Sequence, residues 1–135
     1  MLLRLLLVLV PLVFLAAGCG ARSSAPYTAQ ASVKCFTAKG FKDVTTDAAK
    51  VGFIAGFADN GGLKATAPGG NVVTIAFAAD VNDAKGTEKA FRDHASPFYK
   101  RHMADIMESQ RNAVLVWTTS PTQDQIQTAF GCLAS

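Results

Sequence analysis

The stretch from Asn112 to Thr119 is the feature that most limits the folds open to this chain. Side chains of a strand alternate between its two faces, so Val114 and Val116 point one way and Leu115 and Trp117 the other. Both faces are apolar, which places this strand inside a sheet rather than at its rim. The rest of the chain has to supply its neighbours and its cover.

The neighbours come from a hairpin. Gly62 to Ala67 and Val72 to Ala79 are strand-like and flank Pro68-Gly69-Gly70-Asn71, a run with strong turn chemistry. On the second strand Val73, Ile75 and Phe77 share one face. Val72, Thr74, Ala76 and Ala78 share the other, and their small, weakly polar side chains suit partial exposure. Phe41 to Thr46 supplies a further short strand.

The cover comes from helices. Thr28 to Lys39 starts on a capping threonine and ends at Gly40, with Phe36 and Phe41 at the positions that meet across a glycine-stopped helix end. A long helical region follows a cap at Asp80 or Asn82, its apolar stripe running through Ala84, Phe91, Ala95, Phe98, Met103 and Ile106. Ser96-Pro97 interrupts it, as a cap followed by proline at the first helical position does, leaving either two helices or one kinked helix. Ser120-Pro121-Thr122-Gln123 opens a last helix with a capping box and the stripe Ile126, Ala129, Phe130 and Leu133. Asp47 to Asn60 is ambiguous: Val51, Ile54, Ala55 and Ala58 have helical spacing, but Gly52 and Gly56 interrupt it. The resulting order, α-β-β-β-α-β-α, predicts an α+β fold. It is a two-layer sandwich with a small, mainly antiparallel sheet of three to four strands, helices on one face and ferredoxin-like order.

The 135 residues suffice for one domain. Thirteen Lys and Arg face ten Asp and Glu, and the basic residues form no run, which excludes the clustered footprint of a nucleic-acid partner. One of the thirteen, Arg4, lies in a leading segment that is otherwise apolar from Leu5 to Ala17 and ends in Ala16-Ala17-Gly18. A positive start, a short apolar run and small residues form an export signal. The run is shorter than the roughly twenty residues that cross a bilayer. Leu15-Ala16-Ala17-Gly18-Cys19 resembles the bacterial lipobox, with Ala16 where that motif most often has leucine. The resemblance implies that residues 1–18 are a signal peptide removed on export. It also implies that Cys19 is acylated and that the mature chain is held at the extracytoplasmic face of the cell membrane. The alternative is ordinary cleavage after Ala21 or Ala25, which would release a secreted chain. Residues 19–27, with Gly20, Ser23, Ser24 and Pro26, read as a tether, and residues 28–135 as a single domain.

With Cys19 lipidated, the odd cysteine count becomes a pair in a compartment where disulfides persist. Cys35 and Cys132 are then expected to be bridged, which requires the first and last helices to lie side by side. Free thiols, or a redox or metal pair, are the alternatives, the latter disfavoured by the wide spacing.

No catalytic motif stands out. His94 and Ser96 lack a nucleophile elbow. His102, Asp105 and Glu108 share roughly one helix face without the tighter histidine pair of a zinc site. Met103 and Met107 with His102 would suit copper(I), but they also fall on the apolar stripe. No cofactor is expected. Phe53, Ile54 and Phe57 either cover an edge of the core or form an exposed contact patch. The expectation is a membrane-anchored, non-enzymatic module that binds an envelope protein or another envelope component. The alternative is a binder of a small hydrophobic ligand or lipid, in a pocket lined by Phe53, Phe57, Phe77 and Trp117. The order of elements and the terminal-helix cysteines are loosely similar to small actinobacterial lipoproteins, a likeness that implies no activity.

Overall fold

The strand that is apolar on both faces is paired on both edges. In the structure, a computed structural model that describes residues 24–135, it runs from Ala113 to Trp117 as β5 of a five-stranded sheet. The other strands are β1 (Lys42–Thr45), β2 (Gly62–Thr66), β3 (Val72–Phe77) and β4 (Met107–Gln110). Their order is β1-β2-β3-β5-β4, with every neighbour antiparallel. The segment expected to be a signal peptide, the expected lipidation site Cys19 and the expected tether up to Ser23 lie outside the described residues.

The six helices among the described residues are α1 (Ala29–Ala38), α2 (Ala48–Val51), α3 (Phe53–Gly56), α4 (Val81–His94), α5 (Pro97–Ile106) and α6 (Gln123–Gly131). Local chemistry marks their ends. Thr28 Oγ1 accepts from the Ala31 amide, Asp80 caps α4 through the amides of Asn82 and Asp83, and Ser96 caps α5 with Pro97 behind it. The capping box of the last helix falls on Thr122 and Gln125, so α6 starts past Ser120 and Pro121. The long helical region is two helices, not one kinked helix.

The main core lies between one sheet face and the pair α1 and α6. Leu63, Ala65, Val73, Ile75, Phe77, Leu115 and Trp117 meet Phe36, Ala129, Cys132 and Leu133 there. Phe36 and Phe41 pack edge to face, their rings 4.9 Å apart, as the glycine-stopped end of α1 requires. Burying a side chain such as Phe36 stabilises the fold by about 2–3 kcal/mol. Cys35 and Cys132 form a disulfide with their Cα atoms 5.2 Å apart, which holds α1 beside α6. Both termini of the domain join here, Thr28 donating to the Ala134 carbonyl at 2.8 Å. All buried residues of these clusters lie between Ala29 and Leu133, so a chain starting at Gly20 keeps everything that holds the fold.

The α+β class and the antiparallel sheet agree with the sequence reading. Three finer expectations are corrected. Among the described residues there are five strands, because residues 107–110 form the edge strand β4 and carry Met107 out of the helical stripe. The order is α-β-α-α-β-β-α-α-β-β-α, because residues 47–60 contain two one-turn helices and the helical region before β4 contains two. Helices are not confined to one face. On the other side of the sheet Val51 and Ala55 pack on Ala76, while Ala84 packs with Ala78 and Val114.

That second face explains its small residues. A Cβ placed on Gly62 would lie 2.5 Å from the Ala55 carbonyl oxygen, so the backbone of α3 rests directly on β2. Gly52, at φ +93 between α2 and α3, makes the break that turns α3 onto the sheet. Gly62→Ala is expected to lift α3 and destabilise the domain by about 1–3 kcal/mol in denaturant unfolding. An unchanged midpoint would contradict this packing.

Candidate functional site

With Val51 and Ala55 turned inward, α3 presents Phe53 and Phe57 to solvent. They are 79% and 78% exposed, one helical turn apart, with ring centroids separated by 5.0 Å. Residues 47–60 therefore both cover the core and carry an exposed patch. Ile54 is half-buried at the lip of a groove that opens beside this pair.

Thr74 of β3 and Val116 of β5 form the groove floor, and Phe91 and His94 of α4 form its wall. This compartment measures about 370 Å³. The same four side chains and Ile54 also border a second compartment of about 210 Å³, which continues to Ala95, Tyr99, Met103 and Trp117. At that end Phe98 is 57% exposed and Tyr99 36%. Phe98 packs edge to face on Tyr99 and lies against the His102 ring at 4.9 Å. The groove thus runs from one exposed aromatic pair to another. The lining is mostly hydrocarbon, with Thr74 and His94 as its main polar members.

The surrounding charges are largely partnered. Asp93 is bonded to Lys89, and that bond first, then the Lys89, His94 and Lys100 charges, hold its carboxyl below the ordinary range against slight desolvation. Glu88 pairs with Arg92 and accepts from Ser109, and Asp105 lies 3.9 Å from His102. The segment from His94 to His102 contains both histidines, Lys100, Arg101 and no acid. Such a surface attracts apolar groups and anions. It has no arrangement for nucleophilic catalysis: Ser96 Oγ caps α5 on the Tyr99 amide, and His94 hydrogen-bonds neither a carboxylate nor a hydroxyl among the described residues. Nor does any group of three or more His, Cys, Asp or Glu there stand close enough to hold a metal ion.

The pocket expected from Phe53, Phe57, Phe77 and Trp117 is not assembled. Phe77 is fully buried on the opposite face of the sheet and Trp117 is almost fully buried at the groove's inner end. Phe98 was expected on an apolar stripe and is instead largely exposed. Two consecutive aromatics, Phe98-Tyr99, directly after a helix start are the signal that sequence reasoning passed over, since neighbours on a helix cannot share one buried face.

A second cluster fixes where the chain enters the domain. Residues 25–27, expected to belong to the tether, are docked on the turn between β4 and β5. Asn112 Oδ1 accepts from the Tyr27 amide at 2.8 Å, and Asn112 Nδ2 donates to the Tyr27 and Ala78 carbonyls at 2.9 and 2.8 Å. Arg111, at φ +53, donates to the Ala25 carbonyl and lies 4.4 Å over the Tyr27 ring. Burial pushes the Tyr27 phenol up, but its hydrogen bonds with Arg111 and Gln110 and the Arg111 charge outweigh that and leave it below its usual value. Ser24 sits beside Val81 at the start of α4.

Comparison of the chain with protein families, with curated proteins and with solved structures returns no match.

Proposed function

We propose that this protein is a bacterial lipoprotein, acylated at Cys19 and held at the extracytoplasmic face of the cell membrane. Its domain is a non-enzymatic interaction module for an envelope component, and the groove is its contact surface. One observation carries the second statement. Of the five large apolar side chains exposed among the described residues, Phe53, Phe57, Phe98 and Tyr99 form the two ends of a single groove. Contiguous exposed apolar surface on a small domain marks a contact site. The anchor rests on the export signal and Cys19, and the paired state of the two remaining cysteines supports it.

A small hydrophobic ligand is the second reading, favoured by a compartment volume at the low end of ligand sites. The groove's openness weighs against it, because ligand sites bury most of their occupant's surface.

Photocrosslinking residues placed at positions 57 and 98 of the anchored chain test the reading, with position 34 on the far side of the domain as control. The expected result is adducts from 57 and 98 and none from 34. Equal labelling at all three positions, or none at any, would contradict it. Because Phe53 and Phe57 bury so little, the Phe53→Ser/Phe57→Ser variant is expected to unfold within about 0.5 kcal/mol of the parent per substitution. A large loss would make the pair a packing element instead of a contact surface.

A further inference from the structure

We propose that the occupant of the groove face is the anionic bilayer itself: the domain lies on its α3/α4/α5 side, with both aromatic pairs in the lipid interface. This rests on the reading of the protein as a lipoprotein with a contact groove, and it names the partner.

The first argument is the distribution of exposed apolar side chains. The fifth such residue, Val81, is 54% exposed at the start of α4. All five therefore belong to α3, α4, α5 and their caps, and none to the α1/α6 side. A protein partner recognised at one end of the groove would not account for Val81. Val81 opens α4, and Phe91 and His94 near its other end form the groove wall between the two aromatic pairs. Aromatic side chains with a polar or cationic neighbour suit the boundary between headgroups and acyl chains.

The second argument is the place where the anchor leaves. Residues 25–27 are clamped to the β4–β5 turn, so only residues 19–24 remain between the acylated cysteine and the body. Fully extended, they span about 20 Å. Ser24 emerges beside Val81, at the end of α4 opposite the groove wall formed by Phe91 and His94. The fourteen residues of α4 are about 21 Å long. With so short a leash at one end of α4, the helix can lie along the membrane and bring the groove at its other end to the surface.

The third argument is charge. Lys100 and Arg101 are exposed directly after Phe98 and Tyr99, with His94 and His102 on either side and no acid from 94 to 102. On α4 and α5 Asp93 and Glu88 are paired with Lys89 and Arg92, and Asp105 faces His102, while Asp59, Asp80 and Asp83 are exposed farther from this cluster in sequence. An aromatic pair followed by two cations complements apolar interface topped by phosphate.

The test uses the chain starting at Gly20, which keeps the fold but has no lipid, and measures flotation with vesicles. One set is phosphatidylcholine alone and the other is equal parts phosphatidylcholine and phosphatidylglycerol. Binding to the anionic vesicles is expected, falling as salt rises, with little to the neutral ones. Lys100→Glu/Arg101→Glu should lower partitioning about thirtyfold or more. Phe98→Ser/Tyr99→Ser and Phe53→Ser/Phe57→Ser should each lower it about tenfold, with thermal unfolding as the check that each variant is folded. Equal binding to both vesicle types, no binding to either, or folded variants that partition like the parent would overturn the inference. If vesicles are not bound while positions 57 and 98 crosslink a protein in the envelope, the bilayer is the wrong occupant and the contact-groove reading stands.

Discussion

Replacing Cys35 and Cys132 together by alanine is expected to lower the stability of the domain by about 3–5 kcal/mol. The bridge joins residues 97 positions apart, so it closes nearly the whole described chain. By chain entropy a loop of that size limits the unfolded state by nominally 4 to 5 kcal/mol. The cross-link also ties the two helices that cover the main core, with Cys132 itself buried in it. For a domain of this size the midpoint of thermal unfolding should fall by more than about 10 °C. Reduction of the parent protein should reproduce most of that fall, and the double variant should no longer respond to reductant. A parent protein whose unfolding is the same with and without reductant would contradict the role given to the bridge.

Asn112→Ala is the second large effect. The side chain is buried and satisfies both backbone groups of Tyr27. Its third bond is to the Ala78 carbonyl, which also accepts from Asn60. Alanine would leave the Tyr27 amide and carbonyl without partners, each at a cost of about 1–3 kcal/mol unless water reaches it. A loss of about 2–4 kcal/mol is expected, together with fast hydrogen exchange and protease cleavage at residues 25–28. Asn112→Asp keeps the acceptor for the Tyr27 amide but sets a buried carboxylate oxygen against the Tyr27 and Ala78 carbonyls, so at neutral pH it should lose at least as much as alanine. Protection at residues 25–28 that survives Asn112→Ala would show that Arg111 and Gln110 hold the entry segment by themselves. On the proposed anchoring at Cys19, release of this clamp would lengthen the leash and free the orientation of the groove.

Much of the fold is legible where side-chain period and end signals agree. The interior strand, the hairpin around Gly69-Gly70, the glycine stop after α1 and the Ser96-Pro97 restart all rest on local chemistry that tertiary packing did not override. What was not legible depended on neighbours distant in sequence. Met107-Glu-Ser-Gln carries too little apolar character to read as a strand, and Met107 continues the spacing of Met103. Only pairing with residues 113–116 makes it one. Small residues on β3 suggested water and instead allow helix backbones to come close, as Ala76 does under α3 beside Gly62 of β2. A small side chain permits either outcome, and the sequence of the strand alone does not distinguish them. The candidate site was half visible. Phe53, Ile54 and Phe57 were singled out because glycines interrupt their helix, while the matching pair Phe98 and Tyr99 was absorbed into an apolar stripe. The geometry that joins the two pairs across Thr74 and Val116 is a product of strand order.

The lipid proposed at Cys19 is what makes the leash short and brings the groove near a bilayer, whereas the compartment that keeps the disulfide follows from export alone. Intact-mass measurement of the protein extracted from its native envelope tests this most directly. The predicted result is a chain beginning at Cys19 that carries the added mass of two or more acyl chains, and that lacks this mass when Cys19 is replaced by serine. A chain that begins after Ala21 or Ala25 with no added mass would contradict the account.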